Sequence, residues 1–282
     1  MSSSVTTATT LSLGWRTDLM FARFDGELVP REDCLVVRTP INPTFWWGNF
    51  LLFGHAPRLG DAAHWLGRFE AEIAAAQPMS RHVAFGIDTS EAFALPADFV
   101  AAGLTLFASN VLTLRRAQLR APRAALEAAR FSVAALELPA QAAQAVDLQV
   151  ATDAGQHQPV ADYRIFRERQ MARYGAMARA GLGRWYGVFT HDGQLVADCG
   201  LFSDGRVGRF QHVSTHPQWR RRGLCTALIH AVCRAGFETM DLDTLVIVAD
   251  PDDVAIALYE SMGFERGVRS WQLERPPLDP AP

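Results

Sequence analysis

Between Val213 and Thr226 the chain runs Val-Ser-Thr-His-Pro-Gln-Trp-Arg-Arg-Arg-Gly-Leu-Cys-Thr. Arg220, Arg221 and Arg222 stand directly before Gly223, and an apolar repeat at helical spacing starts at Leu224. A helix start leaves about four backbone N–H groups without intrahelical partners and carries roughly half a positive charge. An anion satisfies both if the backbone can approach it, and Gly223 removes the side chain that would stand in the way. Guanidinium groups fork onto phosphate oxygens. The stretch from Arg220 through Gly223, Leu224, Cys225 and Thr226 therefore predicts a turn that cradles a pyrophosphate.

The rest of the inventory removes other chemistries. All 27 basic residues are arginine, so no lysine Schiff base or P-loop lysine can form. Cys34, Cys199, Cys225 and Cys233 include no C-x-x-C pair, which predicts neither a zinc site nor a redox pair. No metal is expected. A net charge of -3 argues against a nucleic-acid partner, which would call for a basic excess. Scattered cysteines fit a reducing cytoplasm. The Ser- and Thr-rich start has no signal-peptide pattern, and no run of 18 apolar residues predicts a membrane span.

The elements that position the cradle can be read around it. Asp147–Ala151 is expected as a short strand and Val160–Met177 as a helix, with Tyr163, Phe166, Gln170 and Tyr174 three to four apart. Trp185–Thr190 and Gln194–Phe202 read as strands joined at His191-Asp192-Gly193, since Asp-Gly supplies the positive φ of a tight turn. Ser203-Asp204-Gly205 turns into a third strand, Val207–Thr215. A helix follows from Leu224 with Gly236 as its stop. Leu245–Ala249 reads as a strand buried on both faces. Asp252 would cap a helix ending at Gly263, and a last strand covers Arg269–Leu273. A mixed, mostly antiparallel sheet flanked by helices is the expected α/β fold, of α+β type.

Upstream, Phe45–Phe53 reads as an aromatic strand, Asp61–Ala76 as a helix, His82–Ile87 as a strand, Pro96–Ala102 as a helix and Leu112 as part of a strand. His82–Asp88 matches Thr244–Asp250, and Gly103-Leu104 matches Gly263-Phe264, the pattern of a diverged internal repeat. At 282 residues, two domains are expected. They are a loose tail at 1–13, a degenerate copy with a linker at 14–130, and the better-formed copy at 131–282.

Arg220-x-x-Gly223-x-Cys225 resembles the Arg/Gln-x-x-Gly-x-Gly/Ala loop that grips coenzyme A in GNAT acetyltransferases. Ala255-Ile256-Ala257-Leu258-Tyr259-Glu260-Ser261-Met262-Gly263-Phe264 is similar to the family's A-x-x-L-Y-x-x-x-G-F segment. The resemblance covers about half the chain. It departs at Cys225, where the family has Gly or Ala, and at Asp252, where many members carry Asn beside the cofactor.

The resemblance implies that acetyl-CoA is the co-substrate and that a primary amine of a small molecule accepts the acetyl group by direct transfer. The pantetheine arm would lie between splayed strands, paired with backbone near Val213 and Thr215. Tyr259 would protonate the departing sulfur. The strand before the loop carries no carboxylate, so His212, turned into the cleft by a bulge, or a water on Gln211 would serve as base. A non-catalytic acyl-CoA sensor and a protein N-acetyltransferase are the alternatives, and a homodimer is left open.

Overall fold

The fold is taken from a computed structural model that describes residues 11–123, 125–153 and 160–277. It forms two compact units: the chain up to Val111 together with the segment from Gly267, and Leu112–Arg266.

The first unit holds α1 (Leu13–Asp25), β1 (Glu27–Pro30), β2 (Cys34–Arg38), β3 (Phe50–Phe53), α2 (Ala62–Phe69), β4 (Val83–Ile87), α3 (Ala97–Ala101) and most of β5 (Thr105–Arg115). The second holds the end of β5, then β6 (Phe131–Ala135), α4 (Ala142–Asp153), α5 (Val160–Arg179), β7 (Gly183–Thr190), β8 (Leu195–Asp204) and β9 (Val207–Thr215). It continues with α6 (Leu224–Glu238), β10 (Thr244–Ala249), α7 (Ala255–Ser261) and the start of β11 (Glu265–Arg275).

Each unit is completed by a strand from the other end of the sequence. In unit 1 the order is β1-β2-β3-β4-β11, and β11 lies antiparallel to β4 from Trp271 opposite Ile87 to Arg275 opposite Val83. In unit 2 the order is β5-β10-β9-β8-β7-β6. Leu112 and Leu114 of β5 join its core, while Trp271 and Leu273 of β11 join that of unit 1. Most pairs are antiparallel; β3 with β4 and β9 with β10 are parallel.

The repeat is visible in this order. β4, α3 and Gly103 lead into β5 as β10, α7 and Gly263 lead into β11, and both closing strands have 11 residues. Gly103 and Gly263 both have positive φ, 77° and 102°. At Gly263 a Cβ would run into the carbonyl of Gln118, so this turn needs glycine for space as well as for φ.

Unit 2 layers α6 on one face of its sheet and α4 with α5 on the other. That sandwich is why β8 is buried from Leu195 to Phe202 without alternation. The β7–β9 meander forms as expected, with Gly193 and Gly205 at positive φ in the two turns.

Several expectations need correction. Asp147–Ala151 lies in helix α4, whose Ala145, Leu148 and Gln149 are buried at spacings of three and four. The alternation of Val146, Leu148 and Val150 imitates a strand only over a short window. Gly236 does not stop α6, which runs on to Glu238; a Cβ there would meet Leu201 at 2.9 Å, so its role is close packing. Asp252 does not cap α7. Its own amide donates to Asp250, and Asp253 accepts from the Ala255 amide at 2.8 Å.

Phe45–Phe53 is strand only from Phe50, because Trp46–Gly48 forms a 3₁₀ turn. There Trp46 stacks on His82 and Trp47 packs against Trp15 and Phe50. The strand expected after His82 has all five residues buried. The tail expected at 1–13 lies outside the described residues up to residue 10; Leu11 is buried, and the Ser12 amide donates to Asp88. Among the described residues no helix is long and apolar enough to cross a membrane.

Candidate functional site

The expected cradle sits where β9 hands over to α6. His216 opens a 3₁₀ turn, Pro217–Trp219, and its Nδ1 accepts the Gln218 amide at 3.3 Å. Arg221 and Gly223 then take left-handed conformations, φ 62° and 75°, which fold the backbone sharply into the helix. No side chain caps the start of α6, its first turn is free of acidic residues, and a Cβ on Gly223 would meet nothing within 4 Å. The space before the first-turn amides is therefore open.

Arg220 donates to the Thr215 carbonyl at 3.2 Å. Arg222 lies 4.8 Å over the Trp219 ring, which holds its charge near the turn. Arg220, Arg221, Arg222 and Gly223 are all exposed. A pyrophosphate fits the open amides and the three guanidinium groups.

The strands leading to this turn diverge. β9 and β10 pair from Val207 with Thr244 to Arg209 with Val246, and their register goes no further. On its other edge β9 slips against β8: Asp198 faces Ser214, yet Gly200 faces Gln211. The extra residue makes a bulge at His212, whose φ is 39°. A bulge bends its strand and re-aims a side chain.

Gln211 and His212 both reach α5. Tyr174 donates its hydroxyl to Gln211 Oε1 at 3.1 Å, and Arg167 meets His212 Nδ1 at 2.7 Å. A guanidinium can only donate, so Nδ1 is the acceptor and the neutral ring carries its proton on Nε2. Burial, with the Arg167 charge beside it, pushes the His212 pKa well below the ordinary histidine value. The bulge that the base role of His212 requires is present, but the ring's lone pair goes to Arg167. Arg167 also donates to the Tyr163 hydroxyl and lies over the rings of Tyr163 and Phe166.

On the α6 face, Cys225 shares a hydrogen bond with Thr215, and burial pushes its thiol up to about 12. A thiol so held is no nucleophile. Val213 packs against the apolar core of unit 2. Tyr259, on α7, is buried, and burial followed by the neighbouring Cys225 raises its pKa. Its hydroxyl therefore keeps its proton at neutral pH. Asp252 is exposed in the loop before α7, where its backbone amide donates to the Asp250 carboxylate.

Sequence reasoning missed two members of this region. Arg167 was hidden in a polar helix face. Gln149 lay in the segment misread as a strand. Asp198, the acidic residue of an otherwise apolar strand, is fully buried as an acceptor among Gln149, Trp185 and Ser214.

In unit 1 the segment matching the cradle is His55–Gly60, before α2. There the Asp98 carboxylate accepts the amides of Gly60 (2.9 Å) and Ala62 (3.2 Å). Burial opposes ionisation, but these backbone donors hold its carboxyl below the ordinary range.

Residues 183–266 match the family model of the acetyltransferase (GNAT) domain. No curated protein matches the sequence. Among solved structures, a conserved protein of unknown function from Staphylococcus epidermidis is 12% identical, with 92% of this chain and 98% of that one covered and a TM-score of 0.73. A GCN5-related N-acetyltransferase from Sphaerobacter thermophilus is 15% identical (86% and 76% covered, TM-score 0.58). Another from Kribbella flavida is 17% identical, with 86% of each chain covered and a TM-score of 0.56. At such identities the likeness is one of fold. The family match thus runs from β7 through α7 into the first residues of β11, within the second unit, and the solved structures share the fold around it.

Proposed function

We propose that this protein is an acetyl-CoA-dependent N-acetyltransferase that passes the acetyl group directly to a primary amine of a small molecule. One observation carries it: the β9–β10 ladder stops at Arg209 and Val246, and β9 then leads straight to the open, left-handed turn at Gly223. An extended pantetheine arm suits the gap, and the pyrophosphate suits the turn.

Arg220, Arg221, Arg222 and the amides of Gly223 to Thr226 would hold the phosphates. Backbone donors of β9 near Val213 and Thr215 would polarise the thioester carbonyl, a contribution of about 3 kcal/mol for a well-placed donor. Holding amine and thioester together removes much of the remaining barrier. Tyr259, kept protonated by its surroundings, would give its proton to the sulfur. Gln211 and the Nε2–H of His212 would orient the acceptor from the α5 side.

Titration calorimetry with acetyl-CoA, followed by a thiol-release assay over a panel of small primary amines, tests this. We expect one site per chain and thiol release that depends on the amine. Binding without release from any amine would instead mark a sensor. Absence of binding would refute the reading.

A further inference from the structure

Ser214 lies two residues beyond the bulge, on the stretch of β9 that β10 leaves unpaired. Its hydroxyl donates to Oδ1 of Asp198 on β8. Asp198 has no exposed surface, and its Oδ2 accepts from Trp185 Nε1 at 2.8 Å and Gln149 Nε2 at 3.0 Å. Indole and amide N–H groups only donate, so Oδ2 must stay an acceptor. Oδ1 faces a hydroxyl, which can reverse its bond and accept from a carboxylic acid. Asp198 can therefore take a proton at Oδ1 and keep all three partners, if Ser214 turns its own hydrogen away.

The surroundings suit a carboxyl that changes charge. Its three donors are neutral groups. Burial pushes its pKa up to about 6, opposed by Ser214, Gln149, Trp185 and the more distant Arg167. The titratable or charged groups on neighbouring elements are Arg167 and Tyr174 on α5, His212 on β9 and Cys199 beside it on β8. From α4 the neutral Gln149 reaches it, and Asp147 is exposed and paired with Arg164.

We propose that Ser214 and Asp198 form the proton path that receives the amine proton in acetyl transfer, Ser214 as the group facing the acceptor and Asp198 as the positioning carboxylate behind it. This rests on the acetyltransferase reading. The amine nitrogen forms a bond to the thioester carbonyl carbon, and the C–S bond breaks with its electron pair leaving on sulfur. One N–H proton passes to Ser214 Oγ while the hydroxyl proton of Ser214 passes to Asp198 Oδ1. The products are a neutral amide, a neutral hydroxyl and a protonated carboxyl. After the amide leaves, Asp198 returns its proton through Ser214 to water entering the cleft; the sulfur is protonated by Tyr259, which is reprotonated by the same water. The path supplies what β9 lacks, because the lone pair of His212 is engaged by Arg167.

Asp198→Asn tests it with little change of shape. The asparagine carbonyl can take the place of Oδ2, and its NH₂ can donate to Ser214. The measurement is kcat/KM against pH, with an acceptor whose own ammonium titrates far from this range. Wild type should show a limb rising through about pH 6. Asp198→Asn should lose that limb and about 10²–10⁴-fold in rate, the usual worth of a positioned base. Ser214→Ala should lose rate similarly, and Ser214→Thr should recover most of it. In infrared spectra of the free protein, wild type should show a protonated-carboxyl band below pH 6 that Asp198→Asn removes. An unchanged limb in Asp198→Asn, or no such band, overturns the proposal. A wild-type protein that acetylates no amine overturns the parent reading instead, and the two failures are distinct.

Discussion

In unit 1 the parallel β3–β4 ladder runs to the last residue of β3, where Phe53 pairs with Ile87 and its carbonyl accepts the Asp88 amide at 2.8 Å. In unit 2 the equivalent β9–β10 ladder closes only at its beginning and then opens. The same contrast holds in what lies beside each strand end. Phe53 stacks on Trp65 with ring centroids 3.6 Å apart, and Phe85 and Phe99 complete a fully buried aromatic plug. At the start of α2 the Asp98 carboxylate already occupies the amides that unit 2 leaves open. One copy of the repeat thus closes its strand ends with aromatic core and holds its helix-start amides with its own carboxylate. In the other the ladder stops early and no side chain caps the helix start.

The largest expected effect comes from making unit 2 resemble unit 1 at one atom. Tyr259 stands four residues before Gly263, and Phe99 stands four before Gly103. Tyr259→Phe should lower turnover by about 10²–10⁴-fold, the range for a general acid. Acetyl-CoA affinity should hardly change, because the lost interaction belongs to the transition state. Steady-state kinetics beside a melting curve decides it; full turnover in the mutant would make Tyr259 a core residue only.

Next are the two turn glycines. Gly223 and Gly60 have φ of 75° and 100°, and a Cβ at either would touch nothing within 4 Å. Gly223→Asp puts a negative charge before the open amides and should weaken acetyl-CoA binding by at least about 100-fold, or about 2.7 kcal/mol. Gly60→Asp should leave calorimetric affinity and stoichiometry unchanged. Equal effects at both positions would mean that the two loops are not different after all.

The smallest effect should be at Asp98. Its lowered pKa means that ionisation favours the fold above the ordinary carboxylate range, and that this contribution is lost as pH falls through the native pKa. Asp98→Asn should lower Tm slightly at neutral pH, and the gap to wild type should shrink in acid. It should create no second acetyl-CoA site, because the sheet beneath stays closed.

What could be read from the residues alone was whatever is local. The β7–β9 meander announced itself through Asp192-Gly193 and Asp204-Gly205, and the cradle through Gly223 between a strand and a helix. A bulge at His212 was one of two readings of that strand, and Arg167, whose partner lies 45 residues away, was in neither. Asp198 was legible as a buried acceptor, but its three partners were not, because they come from three other elements. Asp252 and Gly236 failed for a different reason. Each has the residue type of a cap, yet Asp253 stands closer to the helix start and Leu201 needs the space at Gly236. The exchange of β5 and β11 left no local trace, since a strand's sequence says little about which neighbour it will choose.

That exchange shapes how the protein can be made. β4 is buried at all five positions, and one edge of it is covered only by Trp271–Arg275, nearly the last part of the described chain to leave the ribosome. Throughout translation of the second unit, the first must wait with an apolar edge open to any other strand. Such an edge is a template for aggregation. Cutting the chain near Arg266 would leave it permanently exposed, so the first unit expressed without its last strand should collect in the insoluble fraction.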